Sequence, residues 1–256
     1  MPRDLFGDMA EASMAFLREM CPEDGYYVAF SGGKDSVVIL DLVRRAGVPH
    51  DTHYNITNVD PPELVQFIKR HYPGVERHHP SESMWAIIER NAMMPSRRCR
   101  FCCRLLKEVA GSGRTVVTGI RADESAARRA RGPVEGSTAD PTKRFVHPIL
   151  NWSSDDVWGY IRGRGLPYCH LYDEGFLRLG CVICPFERDT ARAQRRWPKL
   201  FDAARRALRR GWATRTQPTD WGPAQRFADA DALFDWWLSR DEPYPEPQRT
   251  CGGLFV

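Results

Sequence analysis

The spacing of apolar residues changes repeatedly along the chain. Near the N-terminus Met9, Met14, Phe16, Leu17 and Met20 recur at helical spacing and predict a helix. Gly25 then precedes an apolar run over 26–30, which reads as a buried strand. The polar hexapeptide SGGKDS follows at once. Residues 37–45 read as a helix, with Gly47 just past its end. A strand is expected over 52–56. Pro61 and Pro62 suit the first turn of a helix reaching about His71. A third strand over 75–78, helices over 84–90 and 103–110, and a strand over 115–120 (TVVTGI) complete the series.

Strand and helix thus alternate through the first half. That order predicts an α/β fold, a parallel sheet with helices on both faces. Ligands of such sheets sit at the carboxyl ends of strands, where SGGKDS and GIRADES both fall. Residues 122–144 are polar, Arg-rich and punctuated by Gly and Pro, and read as a long loop. Ser153 opens a helix with Asp155 and Asp156 in its first turn. Beyond Pro185 the chain reads as a mostly helical region rich in Arg and Trp, ending in a Pro-rich extended tail over 243–256. Trp197, Trp212, Trp221, Trp236 and Trp237 read as core side chains.

Composition adds boundaries. The chain has 256 residues, enough to bury a core without disulfides. Hydrophobic residues make up 42% and charged residues 27%, which argues against general disorder. No apolar run is long enough for a transmembrane helix, and the acidic N-terminal stretch lacks an apolar signal core. A cytoplasmic protein with no membrane partner is the expectation. A net charge of +4 is too balanced to argue for nucleic acid by itself. Only Lys34, Lys69, Lys107, Lys143 and Lys199 are lysines, so arginine dominates the basic set. Coding bias explains that skew; bidentate phosphate binding is the sharper reading.

The hexapeptide Ser31–Ser36 carries the first chemistry. Gly32 and Gly33 let the backbone turn tightly and approach a ligand closely. The following helix offers free N–H groups and its positive dipole end. Lys34 suits phosphate oxygens, and the hydroxyls of Ser31 and Ser36 add donors. Asp35 beside phosphates makes sense if Mg²⁺ bridges them. A plain Gly-Gly turn is the alternative, but the whole string between a strand and a helix favours a nucleotide.

Eight cysteines carry the second chemistry. Cys99, Cys102 and Cys103 form one cluster, and Cys181 and Cys184 a second with Cys-x-x-Cys spacing. Two such groups can supply four thiolates to Zn²⁺ or to an iron–sulfur cluster. Buried, unreactive thiol is the alternative, and it suits Cys21 and Cys169.

SGGKDS resembles the pyrophosphatase loop (PP-loop) of the adenine-nucleotide alpha-hydrolase-like superfamily. With NITNVDPPELVQFI, RFCCRLLKE, VVTGIRADES, HPILNWSSDDVW and LYDEGFLRLGCVICP, the chain resembles the phosphoadenylyl-sulfate (PAPS) reductase family over about residues 26–186. The resemblance implies a Rossmann-like sheet, with residues 1–186 as the nucleotide domain and 187–256 as a helical extension. It implies an adenosine site around Ser31–Ser36, with Asn58 and Asp60 near the nucleotide. Gly119, Arg121, Ser125 and Arg128 would face its phosphate or sulfur-bearing end. By the same resemblance Cys102, Cys103, Cys181 and Cys184 would hold a 4Fe–4S cluster. Zinc is the alternative, with Cys99 in place of Cys103. Cys251, in TCGGLFV, loosely resembles the C-terminal segment that carries the family's catalytic thiol, without its Glu and His.

Three functions follow as expectations. One is ATP- and Mg²⁺-dependent adenylation of an acceptor for sulfur transfer, with Lys34, Asp35, Arg121 and Cys251 as catalytic residues. A nucleic acid would be the acceptor, and a cysteine desulfurase would be a fitting sulfur donor. The second is a sulfonucleotide reductase releasing sulfite. The third is a nucleotide-binding regulatory subunit with structural zinc. A homodimer is compatible with each.

Overall fold

The computed structural model describes residues 5–97, 99–214 and 227–239. Contacts divide the chain into two units. The first comprises Met1–Ile56, Pro61–His79 and Val109–Gly180; the second comprises Thr57–Asp60, Pro80–Glu108 and Cys181–Val256. The division is not a single cut, because short connections of the strand region contribute to the second unit.

The first unit is built on six strands: β1 (Tyr26–Ala29), β2 (His50–Asn55), β3 (Glu76–His78), β4 (Thr115–Val117), β5 (Val134–Gly136) and β6 (Arg144–Val146). Their order is β3-β2-β1-β4-β6-β5. Five strands run parallel, and β5 pairs antiparallel to β6 at the edge. Parallel neighbours need crossovers, which α2 (Lys34–Ala46) and α3 (Pro62–His71) supply after α1 (Leu5–Glu19). The helix α2 begins three residues earlier than its apolar spacing suggests, taking in Lys34, Asp35 and Ser36. It ends where Gly47 adopts φ 71°, the left-handed conformation that favours glycine. Its residues Val37, Val38, Ile39, Leu40, Leu42 and Val43 are all buried, as a crossover helix against a sheet requires. The helices α1 and α2 pack together, and α7 (Ser154–Arg164) packs on both. Ser153 caps α7 through a reciprocal bond set with Asp156.

One expectation fails here. Residues 122–144 are not a structureless loop. They form a 3₁₀ turn (Ala122–Glu124), the short helix α6 (Ala126–Arg129) and strand β5. The polar, Gly/Pro-bearing composition hid a short edge strand whose partner β6 follows it.

The second unit is helical: α4 (Met84–Asn91), α5 (Phe101–Cys103), α8 (Thr190–Arg196), α9 (Pro198–Ala213) and α10 (Ala230–Ser239). A π-helical turn, Arg104–Glu108, continues α5. The helix α9 packs against α4, α8 and α10. Among the expected core tryptophans, Trp197 and Trp237 are buried, Trp212 and Trp236 half-buried, and Trp221 lies outside the described residues. No helix among the described residues is long and apolar enough to cross a membrane.

Candidate functional site

The chain visits β1, β2 and β3 in one direction across the sheet, then returns to place β4 on the other side of β1. The carboxyl ends of β1 and β4 therefore flank a switch point, where the crevice of such a sheet opens. The loop after β1 is Phe30–Gly33, and the loop after β4 leads to Gly119 and Arg121.

The first loop is shaped by its own side chains. Ser36 Oγ donates to Gly33 O at 2.8 Å and accepts from the Ser31 N–H at 3.2 Å. Gly32 has φ 73°, and a Cβ there would come within 2.7 Å of Ile68 Cγ1. Glycine is therefore required both by conformation and by space. Across the crevice a Cβ on Gly119 would lie 3.0 Å from the Asp35 backbone, so the end of β4 packs directly on the start of α2.

Three charged groups meet at that helix N-terminus. Lys34 Nζ donates to both oxygens of Asp35 at 2.9 Å. Arg121 Nε donates to Asp35 Oδ1 at 2.7 Å. Lys34 and Arg121 are buried, 5% and 4% exposed. Burial holds the Lys34 ammonium below the usual lysine range, Asp35 works against that shift, and Arg121 and Arg178 add to it. Arg128 is likewise lowered, by burial and then by Arg178. Asp35 thus sits among four cations, Lys34, Arg121, Arg128 and Arg178, beside a helix dipole, with Asp123 and Glu124 on the far side of the arginines. That field suits a polyanion. Arg121 is held further by Trp152 O at 3.3 Å, and Glu124 pairs with Arg128.

Ser125 caps α6 by accepting from the Arg128 N–H at 3.2 Å, and its hydroxyl is exposed. Sequence reasoning missed Tyr172, whose hydroxyl accepts from the Lys34 N–H at 2.9 Å. It missed Arg178 as well. Both lie in LYDEGFLRLG, where no local pattern marks a tyrosine or an arginine as a partner of a distant loop.

The thiols gather in the second unit. None of Cys102, Cys103, Cys181 and Cys184 is in a disulfide. Two ties join their segments to neighbours: Arg97 Nε donates to Pro185 O at 3.2 Å, and the Val182 N–H donates to Val59 O at 2.8 Å. The field at Cys102 reaches from both segments. The Cys102 thiol is raised by its hydrogen bond to Cys103, by burial, and by the charges of Cys103, Cys181 and Cys184. Cys103 is lowered to about 6, first by its bond with Cys102, against burial, with help from Lys107 and Arg100. Cys181 is raised to about 11 by burial, although Lys107 and Thr57 favour its thiolate. The Lys107 ammonium is raised by Cys181 and by Asp60 against the effect of burial. Four sulfurs with adjacent cations are a donor set that fits a thiolate-bound centre. The π turn that follows Cys103 is a geometry frequent at functional sites.

Asp60 accepts from the Thr57 N–H at 3.2 Å and receives Cys181 Sγ at 3.8 Å, so its carboxylate faces the thiols. Asn58 is exposed and left-handed at φ 64°. Cys99 is buried and is not one of the free thiols. Cys169 is fully buried, and Cys21 half-buried, as expected for bystanders. Cys251 lies outside the described residues.

The comparisons with known proteins agree on the fold and family. The family model for the phosphoadenosine phosphosulfate reductase domain matches residues 25–187. Adenosine 5'-phosphosulfate reductase of Allochromatium vinosum is 28% identical over 190 residues, covering 68% of this chain and 73% of its own. A probable FAD synthase of Caenorhabditis briggsae is 31% identical over 178 residues, covering 67% of this chain and 32% of its own. An uncharacterised protein of Methanocaldococcus jannaschii is 32% identical, and this chain spans 41% of its length. Among solved structures, PAPS reductase of Candida auris superposes with a TM-score of 0.50 at 18% identity, over 71% of this chain and 96% of that one. FMN adenylyltransferase of Candida glabrata, with FAD and pyrophosphate, gives 0.51 at 17% identity, over 69% and 62%. The chain belongs to the phosphoadenosine phosphosulfate reductase family, on an adenine-nucleotide alpha-hydrolase-like fold.

Proposed function

We propose that the chain is an ATP pyrophosphatase-type enzyme that adenylates an acceptor for sulfur transfer. One observation carries this reading: Lys34, Asp35 and Arg121 converge at the N-terminus of α2, in a loop shaped by Ser31, Gly32, Gly33 and Ser36. An acceptor oxygen would attack the α-phosphorus of ATP, and the bond to the β-phosphate would break. Pyrophosphate would leave with the bonding pair. Lys34 and Arg121 would neutralise the charge growing on it, and Asp35 would turn from them to Mg²⁺. The outer sulfur of a donor persulfide would then displace AMP, and a second thiol would cleave the donor's S–S bond, leaving the thiolated acceptor and a disulfide. Nucleic-acid thiolation and DNA phosphorothioation are acceptor chemistries of this kind.

Cys102, Cys103, Cys181 and Cys184 would hold a 4Fe–4S cluster. Such a cluster would supply electron storage beside the sulfur chemistry. The rest falls to the protein: Lys107 and Arg100 offset thiolate charge, and Thr57 orients Cys181. A nucleic-acid partner draws less support from α9 than its arginines suggest. Arg205, Arg209 and Arg210 pair with Asp231, Asp231 and Glu89 at 2.9, 2.8 and 2.7 Å.

The test is pyrophosphate release from ATP and Mg²⁺ with Lys34→Ala. We expect a loss of at least about 100-fold, on the scale set by removing one preorganised charge stabiliser. Unchanged release would refute the loop assignment. The reductase reading is favoured by a different observation: the family model matches residues 25–187, which include all four thiols, and adenosine 5'-phosphosulfate reductase is among the relatives. In that reading a thiolate attacks the sulfur of adenylyl sulfate and AMP leaves. Reductant then frees sulfite from the thiosulfonate.

A further inference from the structure

Strand β2 reads HDTHYN, a polar sequence for a strand that lies inside a parallel sheet. Alternation puts Asp51, His53 and Asn55 on one face. Register sets His53 beside Glu76 and Asn55 beside His78, so these two residues of edge strand β3 share that face. Their side chains meet. His53 Nδ1 lies 2.7 Å from His78 Nε2. Glu76 Oε2 is 3.5 Å from His53 Nδ1, and Glu76 Oε1 is 3.8 Å from His78 Nε2. One ligand atom from each residue lies within 4.8 Å of the other two.

The far side of the His53 ring is equally determined. Its Nε2 bonds to the Asp51 carboxylate, and Arg114 Nη2 holds Asp51 Oδ1 at 2.5 Å. Tyr27 stacks on the ring with centroids 4.0 Å apart and planes 9° from parallel. With its proton kept on Nε2 by Asp51, the ring turns the lone pair of Nδ1 towards His78 and Glu76. A carboxylate behind an imidazole is the support that metal-binding histidines characteristically have. His53 is buried, whereas the His78 and Glu76 side chains are 38% and 64% exposed, which opens a route from solvent.

We propose that His53, Glu76 and His78 bind a borderline divalent transition-metal ion, of the Zn²⁺ and Ni²⁺ class, with Asp51 as the positioning residue. Two imidazoles and one carboxylate suit such ions. The ion takes the place of the one proton that bridges the two imidazole nitrogens. Metal–nitrogen bonds of about 2.0–2.1 Å would set those nitrogens about 3.3 Å apart, so the exposed His78 ring must back away by about half an ångström. Three protein ligands leave a further position to solvent. The bound ion would tie edge strand β3 to its neighbour and blunt that edge. This site is separate from the four thiols and does not depend on the reaction proposed above.

The test is calorimetric titration of the untagged full chain with Ni²⁺, repeated on His78→Ala and Asp51→Asn. His78 is at the surface, so its variant should keep the wild-type circular dichroism. We expect one Ni²⁺ equivalent in the wild type that His78→Ala weakens by at least tenfold, and that Asp51→Asn weakens by about 10–100-fold. Identical isotherms for the wild type and His78→Ala would overturn the site, as would a wild type that binds no Ni²⁺.

Discussion

At the scale of the residue, Asp35 has an outsized part because it is the carboxylate that Lys34 and Arg121 share. Asp35→Asn would leave two buried cations facing each other, at a cost of about 3 kcal/mol. A bound polyanion would replace the lost charge. Chemical denaturation should therefore show the variant destabilised and largely rescued by pyrophosphate without magnesium; a variant as stable as wild type would contradict the charge balance described. His147 makes a second prediction. Burial lowers its pKa below the ordinary 6.5, against the pull of Glu135 at 3.1 Å. The unfolded chain then binds more protons than the folded one between the lowered value and 6.5. Stability is complete above that window and falls as pH drops through it. Denaturation midpoints between about pH 5.5 and 7.5 should fall with pH, and His147→Gln should flatten the slope. Ser31, Gly32, Gly33, Lys34 and Asp35 were legible as a site because their types have few other uses in that order. Tyr172 was not, because a tyrosine far along the chain gives no local sign that it will cap a helix.

At the scale of the element, the helices and interior strands followed the apolar spacing to within a few residues. Two departures have physical causes. The strand β5 is three residues long and gains its place by pairing with β6, so its own sequence hardly announces it. The segment after Cys103 is wound as a π turn rather than an α-helix, and periodicity cannot separate the two over five residues. The crossing of α4 and α9 offers a clear test. Gly211 faces the end of α4, and a Cβ there would lie 2.1 Å from the Glu89 carbonyl oxygen. Backbone cannot yield as a flexible side chain does. Gly211→Ala should therefore destabilise the protein by about 2–3 kcal/mol in chemical denaturation, despite the higher helix propensity of alanine. A neutral or stabilising result would mean that the two helices do not approach so closely.

At the scale of the whole molecule, the chain sorts its chemistry by unit. The loop Ser31–Ser36 and its arginines belong to the strand-bearing unit, and Cys102, Cys103, Cys181 and Cys184 belong to the helical one. Sequence spacing suggested that two cysteine groups could join, but the contribution of Lys107 and Thr57 needed the fold. If the four sulfurs hold one centre, Cys181→Ser should lower the iron or zinc content of anaerobically purified protein well below one centre per chain. A full metal complement in that variant would exclude the ligand set. In the proposed reaction the loop at α2 serves ATP and pyrophosphate release. The most direct measurement offers the anaerobic protein ATP with Mg²⁺ and, separately, adenylyl sulfate with a thiol reductant. Pyrophosphate is followed in the first reaction and sulfite in the second. We expect pyrophosphate from ATP, stimulated by an acceptor. Sulfite from adenylyl sulfate with no pyrophosphate from ATP would contradict the proposed reaction.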